Sequence, residues 1–194
     1  MIYGEEETMT TLVAYASRYG ATQGIAERIG ARLTGAGQQV EVRSVKDAGD
    51  LAGYDAFVIG SAAYMGSWMK VARDFTQAHR AVLSMRPVWL FSSGPIGTAT
   101  TDSRGRDVVA AAAPKELGEL ATAVGTLDQK VFFGALDRSK LRGAHRVMGR
   151  MPGAGKLFIE GDFRDWEAID AWADGIAREL GSPVPAEGVL SPDR

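Results

Sequence analysis

Ser17-Arg18-Tyr19-Gly20-Ala21-Thr22 closes an apolar run and leads straight into a segment with helical periodicity. These residue types suit an anion. Gly20 allows a turn that a side chain resists, the hydroxyls of Ser17 and Thr22 can hydrogen-bond, and Arg18 brings positive charge. The amides of a helix opening near Thr22 would face the same point, with the positive end of the helix dipole behind them. A phosphate fits that set. So does a plain turn in which Ser17 and Thr22 only cap the helix. On this loop alone the two readings stand level.

Two further loops follow apolar runs. Ser61-Ala62-Ala63-Tyr64-Met65-Gly66 places small residues where a backbone can approach a ligand closely, and Tyr64 where a flat ring can stack. Trp68, just beyond, falls on the apolar stripe of the helix expected next and reads as core. Ser92-Ser93-Gly94-Pro95, with Gly97, offers amides and hydroxyls to the polar edge of a heterocycle, Pro95 fixing the turn. Together the three loops describe a cradle for a phosphate, an aromatic wall and an amide-rich edge. A mononucleotide with a large planar ring would use all three.

Other chemistries lose their residues. The chain of 194 residues has no cysteine, which removes disulfides, thiolate metal sites and a cysteine nucleophile. Its only histidines are His79 and His145, too few for a multi-histidine site, so no metal is expected. Arg150-Met-Pro-Gly-Ala-Gly-Lys156-Leu157 resembles a Walker loop but lacks its first glycine and its hydroxyl residue. No G-x-G-x-x-G follows a strand, no G-x-S-x-G elbow occurs, and the first strand ends without an acidic cluster. With a formal charge of −2, nothing in the overall field draws in nucleic acid.

The elements that must carry these loops alternate. Apolar runs at 11–16, 38–45, 55–62, 87–94 and 130–136 read as strands, the second as an outer one. Between them, Ile25, Ile29 and Leu33 mark one helix, and Trp68, Val71, Ala72, Phe75 and Val82 mark a second. Pro114 opens a third helix with Leu117, Leu120 and Val124. The last spans about Asp165 to Leu180, carrying Trp166, Ile169, Trp172, Ala173 and Ile176. Strands alternating with helices predict an α/β fold, a doubly wound parallel sheet with helices on both faces. Apolar residues make up 45% and charged residues 24%, an ordinary balance for one core. The expected organisation is a flexible tail at 1–10, one domain at 11–181 and a second tail at 182–194. The acidic N-terminus does not read as a signal peptide. The charge-free runs 56–69 and 87–101 are broken by polar residues and fall short of the roughly 20 apolar residues of a membrane span. A cytoplasmic protein is expected.

Between the fifth strand and the last helix lies a basic insertion, 137–160. From Arg138 to Ile159 no acid occurs, whereas Arg138, Lys140, Arg142, Arg146, Arg150 and Lys156 are basic. Leu141, Ala144, Met148 and Met151 recur at helical spacing within it. Such a segment suits an anionic membrane surface or an acidic substrate, and equally a solvated helix packed on its own domain.

On the strength of "SRYGAT", "SAAYMGSW" and "SSGPIG", the sequence over 11–180 resembles the flavodoxin-like family. The resemblance implies FMN as cofactor, strand order 2-1-3-4-5, and redox chemistry carried by the flavin rather than by acid–base side chains. The three loops would be its binding residues. The basic insertion and the entry to the last helix through "GDFRDWEAI" resemble, within that family, the quinone-linked protoporphyrinogen oxidases of flavodoxin type. That likeness implies a quinone or another small redox substrate and peripheral contact with the inner face of the membrane through the basic insertion. It also implies an oxidoreductase with a homo-oligomeric state open to it. An electron carrier that binds FMN without turnover is the alternative reading.

Overall fold

The computed structural model describes residues 9–141, 143 and 159–181. The parts of the expected tails at 1–8 and 182–194 lie outside them, as do Arg142, Ala144 and residues 145–158 of the basic insertion.

Five parallel strands form the sheet: β1 (Thr10–Ala16), β2 (Gln39–Ser44), β3 (Ala56–Tyr64), β5 (Val88–Ser93) and β6 (Asp128–Phe132), in the order β2-β1-β3-β5-β6. A short β4 (Ser67–Trp68) folds back antiparallel onto β3. With β5 and β6 as the fourth and fifth long strands, this is the expected order 2-1-3-4-5. The pleat explains the sequence pattern. Leu12 and Ala14, Phe57 and Ile59, and Val88 and Leu90 pack on one face; Val13, Ala56, Val58, Trp89 and Phe91 pack on the other. Both faces are covered, so β3 and β5 are almost wholly buried, whereas the edge strand β2 is largely exposed.

Helices α2 (Lys70–Ala78), α3 (Arg80–Leu83) and α5 (Leu117–Val124) supply buried residues to the first face. The second is covered by α1 (Ala21–Gly35) and α6 (Trp166–Gly181). A one-turn α4 (Val108–Ala111) precedes α5. Asp165 starts α6 by accepting from Ala168 N at 3.0 Å. The outer faces of α1 and α6 are joined by two forks: Arg28 to both oxygens of Asp170, each at 2.6 Å, and Arg32 to Asp174. Exposed pairs of this kind contribute little, so the apolar seam beneath them holds the helices together. Among the described residues no helix is long and apolar enough to cross a membrane.

Three differences from the sequence reading change how the chain runs. Thr10, placed in the tail, is already in β1 opposite Gln39, and its amide donates to Asp55 Oδ2 at 2.9 Å. The single helix expected from Trp68 to Val82 is broken. Met65 and Gly66 take φ of 52° and 74°, reversing the chain so that Trp68 pairs with Ala63 in β4. A second break at His79 separates α2 from α3. Trp68 is nevertheless core, as its apolar neighbours implied. The strand expected at 130–136 starts two residues earlier, at Asp128, and ends at Phe132. Gly134 N turns to Pro95 O at 2.9 Å, and Ala135–Leu136 becomes a separate strand, β7, paired antiparallel with β8 (Gly161–Asp162).

Candidate functional site

The carboxyl ends of β1, β3, β5 and β6 open on the same edge of the sheet, where α/β folds bind ligands. A cavity of about 390 Å³ lies there.

Its floor starts at the first loop. Gly20 is the N-cap of α1 at φ 94°, a conformation that favours glycine, and offers no side-chain cap. Its amide donates to Ser17 Oγ at 3.0 Å, which fixes the loop from within. The first intrahelical acceptor met by an α1 amide is Gly20 O, bonded to Gly24 N at 3.0 Å, so residues 21–23 form the opening turn. Thr22 is fully buried and does not cap the helix. Its hydroxyl meets Ser93 Oγ at 2.8 Å, tying the first loop to the third.

Ser17, Tyr19, Ala21 and Thr22 line the cavity on this side. Ala62, Ala63, Tyr64 and Met65 line it from the second loop, which is anchored by Lys115 N donating to Gly66 O at 3.1 Å. Burial pushes the Tyr64 phenol above its ordinary value, so the ring stays neutral at physiological pH. Ser93, Gly94 and Ile96 line it from the third loop.

The other predicted residues sit elsewhere. Ser61 and Ser92 are paired in register on the opposite side of the pleat. Ser61 Oγ accepts from Met69 N at 3.1 Å and donates to Ala62 O, while Ser92 Oγ accepts from the Trp68 indole at 3.1 Å. Neither lines the cavity. Gly66, Pro95 and Gly97 shape the loops without lining it; Met65 is fully exposed on its lip. Arg18 does not line it either. Its guanidinium carbon lies 5.2 Å from the centroid of the Tyr64 ring, a cation–π contact between the first and second loops.

Sequence reasoning missed the fourth wall. Gly134, Ala135, Leu136 and Leu141 complete the cavity, and with Ile96, Ala62 and Ala63 they make most of its lining apolar. Their signal was present: Gly134 follows the fifth strand at the same sheet edge as the other three loops. A second, polar cavity of about 350 Å³ shares Tyr19, Ala21, Ala135 and Leu136 with the first, and the two make one trough. Gly20, Asp137, Lys140, Glu160, Gly161, Asp162 and Arg164 complete it. Asp162 is held below the usual carboxylate range, chiefly by its bonds from Arg164, whose guanidinium also lies over the Trp166 ring. Of the basic insertion, Arg138 and Lys140 lie in a 3-10 turn, 138–140; Arg142, Arg146 and Arg150 lie outside the described residues. Among the described residues no group of three or more His, Asp or Glu side chains could hold a metal ion.

A polar end at a helix start, an aromatic side wall and an apolar body match FMN, the cofactor of the family the sequence resembles. Comparison with solved structures agrees on the fold. The chain superposes on a flavodoxin from Bacillus cereus (oxidised flavodoxin 2) with a TM-score of 0.57 and 20% identity, covering 88% of this chain and 99% of that one. An archaeal flavodoxin gives 0.56 and 16%, covering 90% and 100%. Rubredoxin oxygen:oxidoreductase from the anaerobe Desulfovibrio gigas gives 0.55 and 15%; there this chain, 90% covered, spans 37% of the larger protein. No curated protein sequence matches. The family profile described as a flavodoxin domain matches residues 12–155, which takes in all four loops of the cavity. This chain belongs to the flavodoxin domain family.

Proposed function

We propose that the chain is an FMN-dependent oxidoreductase that passes electrons or hydride between an organic substrate and a quinone-like acceptor. The observation that carries this reading is the division of one trough into a polar end at the α1 N-terminus and a largely apolar body. FMN, when bound, supplies the redox chemistry; the protein binds, orients and screens it. Ser17, Gly20 and the opening amides of α1 would hold the phosphate, and Tyr64 would flank the ring. Ser93 and Gly94 would meet the polar edge of the ring. Ile96, Leu136 and Leu141 exclude water and give a flat apolar acceptor a compatible surface.

A substrate of the porphyrinogen type is the finer reading, and it rests on the sequence likeness of the "GDFRDWEAI" segment alone. That segment forms β8 and the start of α6, and β8 pairs with the β7 wall of the cavity. The basic charge of the insertion 137–160 would favour an anionic membrane surface, where quinones dissolve. A second reading is an electron carrier with no turnover of its own. It is favoured by superposition over the whole length of two flavodoxins.

The deciding experiment starts with a visible absorption spectrum and an FMN titration of the stripped protein, followed by steady-state quinone reduction. Flavin binding with turnover is expected. One-electron exchange without turnover would make the chain a carrier, and a protein that ignores FMN would remove both readings.

A further inference from the structure

Arg164 bridges two walls of the trough that come from distant parts of the chain. It follows β8, whose two residues pair with Ala135 and Leu136, and Phe163 N donates to Gly134 O at 3.1 Å, so this segment and the fourth wall form one hydrogen-bonded unit. From there the side chain crosses to α1. Its Nε donates to Asp162 Oδ1 at 2.8 Å and Nη2 to Asp162 Oδ2 at 2.5 Å, which fixes the plane of the guanidinium. Its Nη1 donates to Ala21 O at 3.4 Å, and the guanidinium carbon lies 4.3 Å from the centroid of the Trp166 ring. The side chain is only 17% exposed, unlike the arginines of the α1–α6 forks.

The sequence of α1 makes room for it. Gly24 lies inside the helix, where glycine is unfavourable because it orders the freest of all backbones. It has no positive φ that would call for glycine. What calls for it is space, since a Cβ there would run into Arg164 Nη1. The carbonyl that Arg164 reaches belongs to the opening turn of α1. Ala21 on that turn, and Ala135 and Leu136 on the other side, each line both cavities, so one bound molecule would touch both walls at once.

Resting on the FMN reading, we propose that Arg164 is a positioning residue: a strut between the opening turn of α1 and the β7–β8 wall that sets the trough before the cofactor arrives. Gly24 is its socket. Because the walls are already ordered against each other, binding does not have to order them.

Gly24→Ala tests this without touching the arginine. Alanine suits a helix better than glycine, so the melting temperature of the stripped protein should not fall, while the added Cβ displaces the guanidinium. The Kd values for FMN and riboflavin, read by flavin fluorescence, should rise together by about tenfold, within the range of coupling between contacting residues. The visible circular dichroism of bound FMN reports the surroundings of the ring, and it should change although the substitution lies on α1. Arg164→Ala should reproduce both effects, and adding Gly24→Ala to it should change little further. Unchanged Kd values and ring spectrum in Gly24→Ala overturn the proposal while the FMN reading stands. A loss confined to FMN, with the ring spectrum unmoved, overturns it as well and makes Arg164 a phosphate contact. An equal effect of Gly24→Ala with and without Arg164 also overturns it and assigns the effect to α1 itself. A wild type that binds neither flavin takes the FMN reading down with it.

Discussion

The hydroxyl of Thr22 is where the first and third loops meet, and the residue is fully buried. Removing it in Thr22→Ala leaves Ser93 Oγ without its partner at 2.8 Å and takes a donor from beneath the cradle. FMN binding should weaken by roughly 1–3 kcal/mol, while Thr22→Ser should stay near the wild type. Calorimetric titration reads both; equal affinities would leave Thr22 as a packing link. At this scale the sequence showed residue types well and their direction poorly. All of Ser61, Ala62, Ser92 and Ser93 were read as site residues, yet the pleat sends Ala62 and Ser93 to the cavity and Ser61 and Ser92 behind it. Counting the two-residue period on from Val58 and Trp89 would have separated them, because both belong to the face covered by α1 and α6. The distant arginine was less accessible. Nothing local to residues 17–22 marks Arg164 as their neighbour, whereas Arg18 sits in the loop and faces elsewhere.

Elements were legible where their hydrophobic period was strong and misread where the backbone turned against it. Of the five parallel strands, β3 and β5 came from apolar runs of the kind buried on both faces, and the outer β2 from its alternation. The helix expected at 68–82 failed because Met65 and Gly66 reverse the chain in left-handed conformations, which a non-glycine residue at 65 hides from a sequence reader. In the wall at 134–141, Ala135 and Leu136 read as more strand, since the apolar run continues past the point where Gly134 leaves the sheet for Pro95, and Leu141 reads as part of the basic insertion. One element contact is unusually unforgiving. Phe91 of β5 lays its ring over Gly60 of β3, and an added Cβ would run into that ring. Gly60→Ala should therefore destabilise the fold by about 1–3 kcal/mol, the usual range for overpacking a close-packed core. Urea denaturation of the stripped protein measures it. Stability equal to the wild type would mean that Phe91 can swing aside, against its full burial between Trp172 and Phe132.

Over the whole molecule, several carboxylates are stabilised in their charged form. Asp170 is held below the usual range first by the bond from Arg28, Asp162 by that from Arg164, and Asp102 by Arg106. Each is depressed on folding, so its contribution is complete above the unfolded carboxylate value near 3.9 and is lost as pH falls through the folded value. Stability should thus be flat at neutral pH and fall on the acid side. Asp170→Asn should lower Tm at pH 7 and make the difference between pH 7 and pH 3 smaller than in the wild type. Parallel thermal melts would show it, and identical acid limbs would mean that the Arg28 fork contributes nothing. The same fork reaches from the first helix to the last of the described chain. Ser17 to Thr22 leave the ribosome early, but α1, the helix they open, is packed on one side by an element that is made only after Asp165. A nascent chain that stops short of Trp166 already carries all four loops and still lacks the partner that holds their floor in place. The first loop thus gains a settled floor only once α6 has docked.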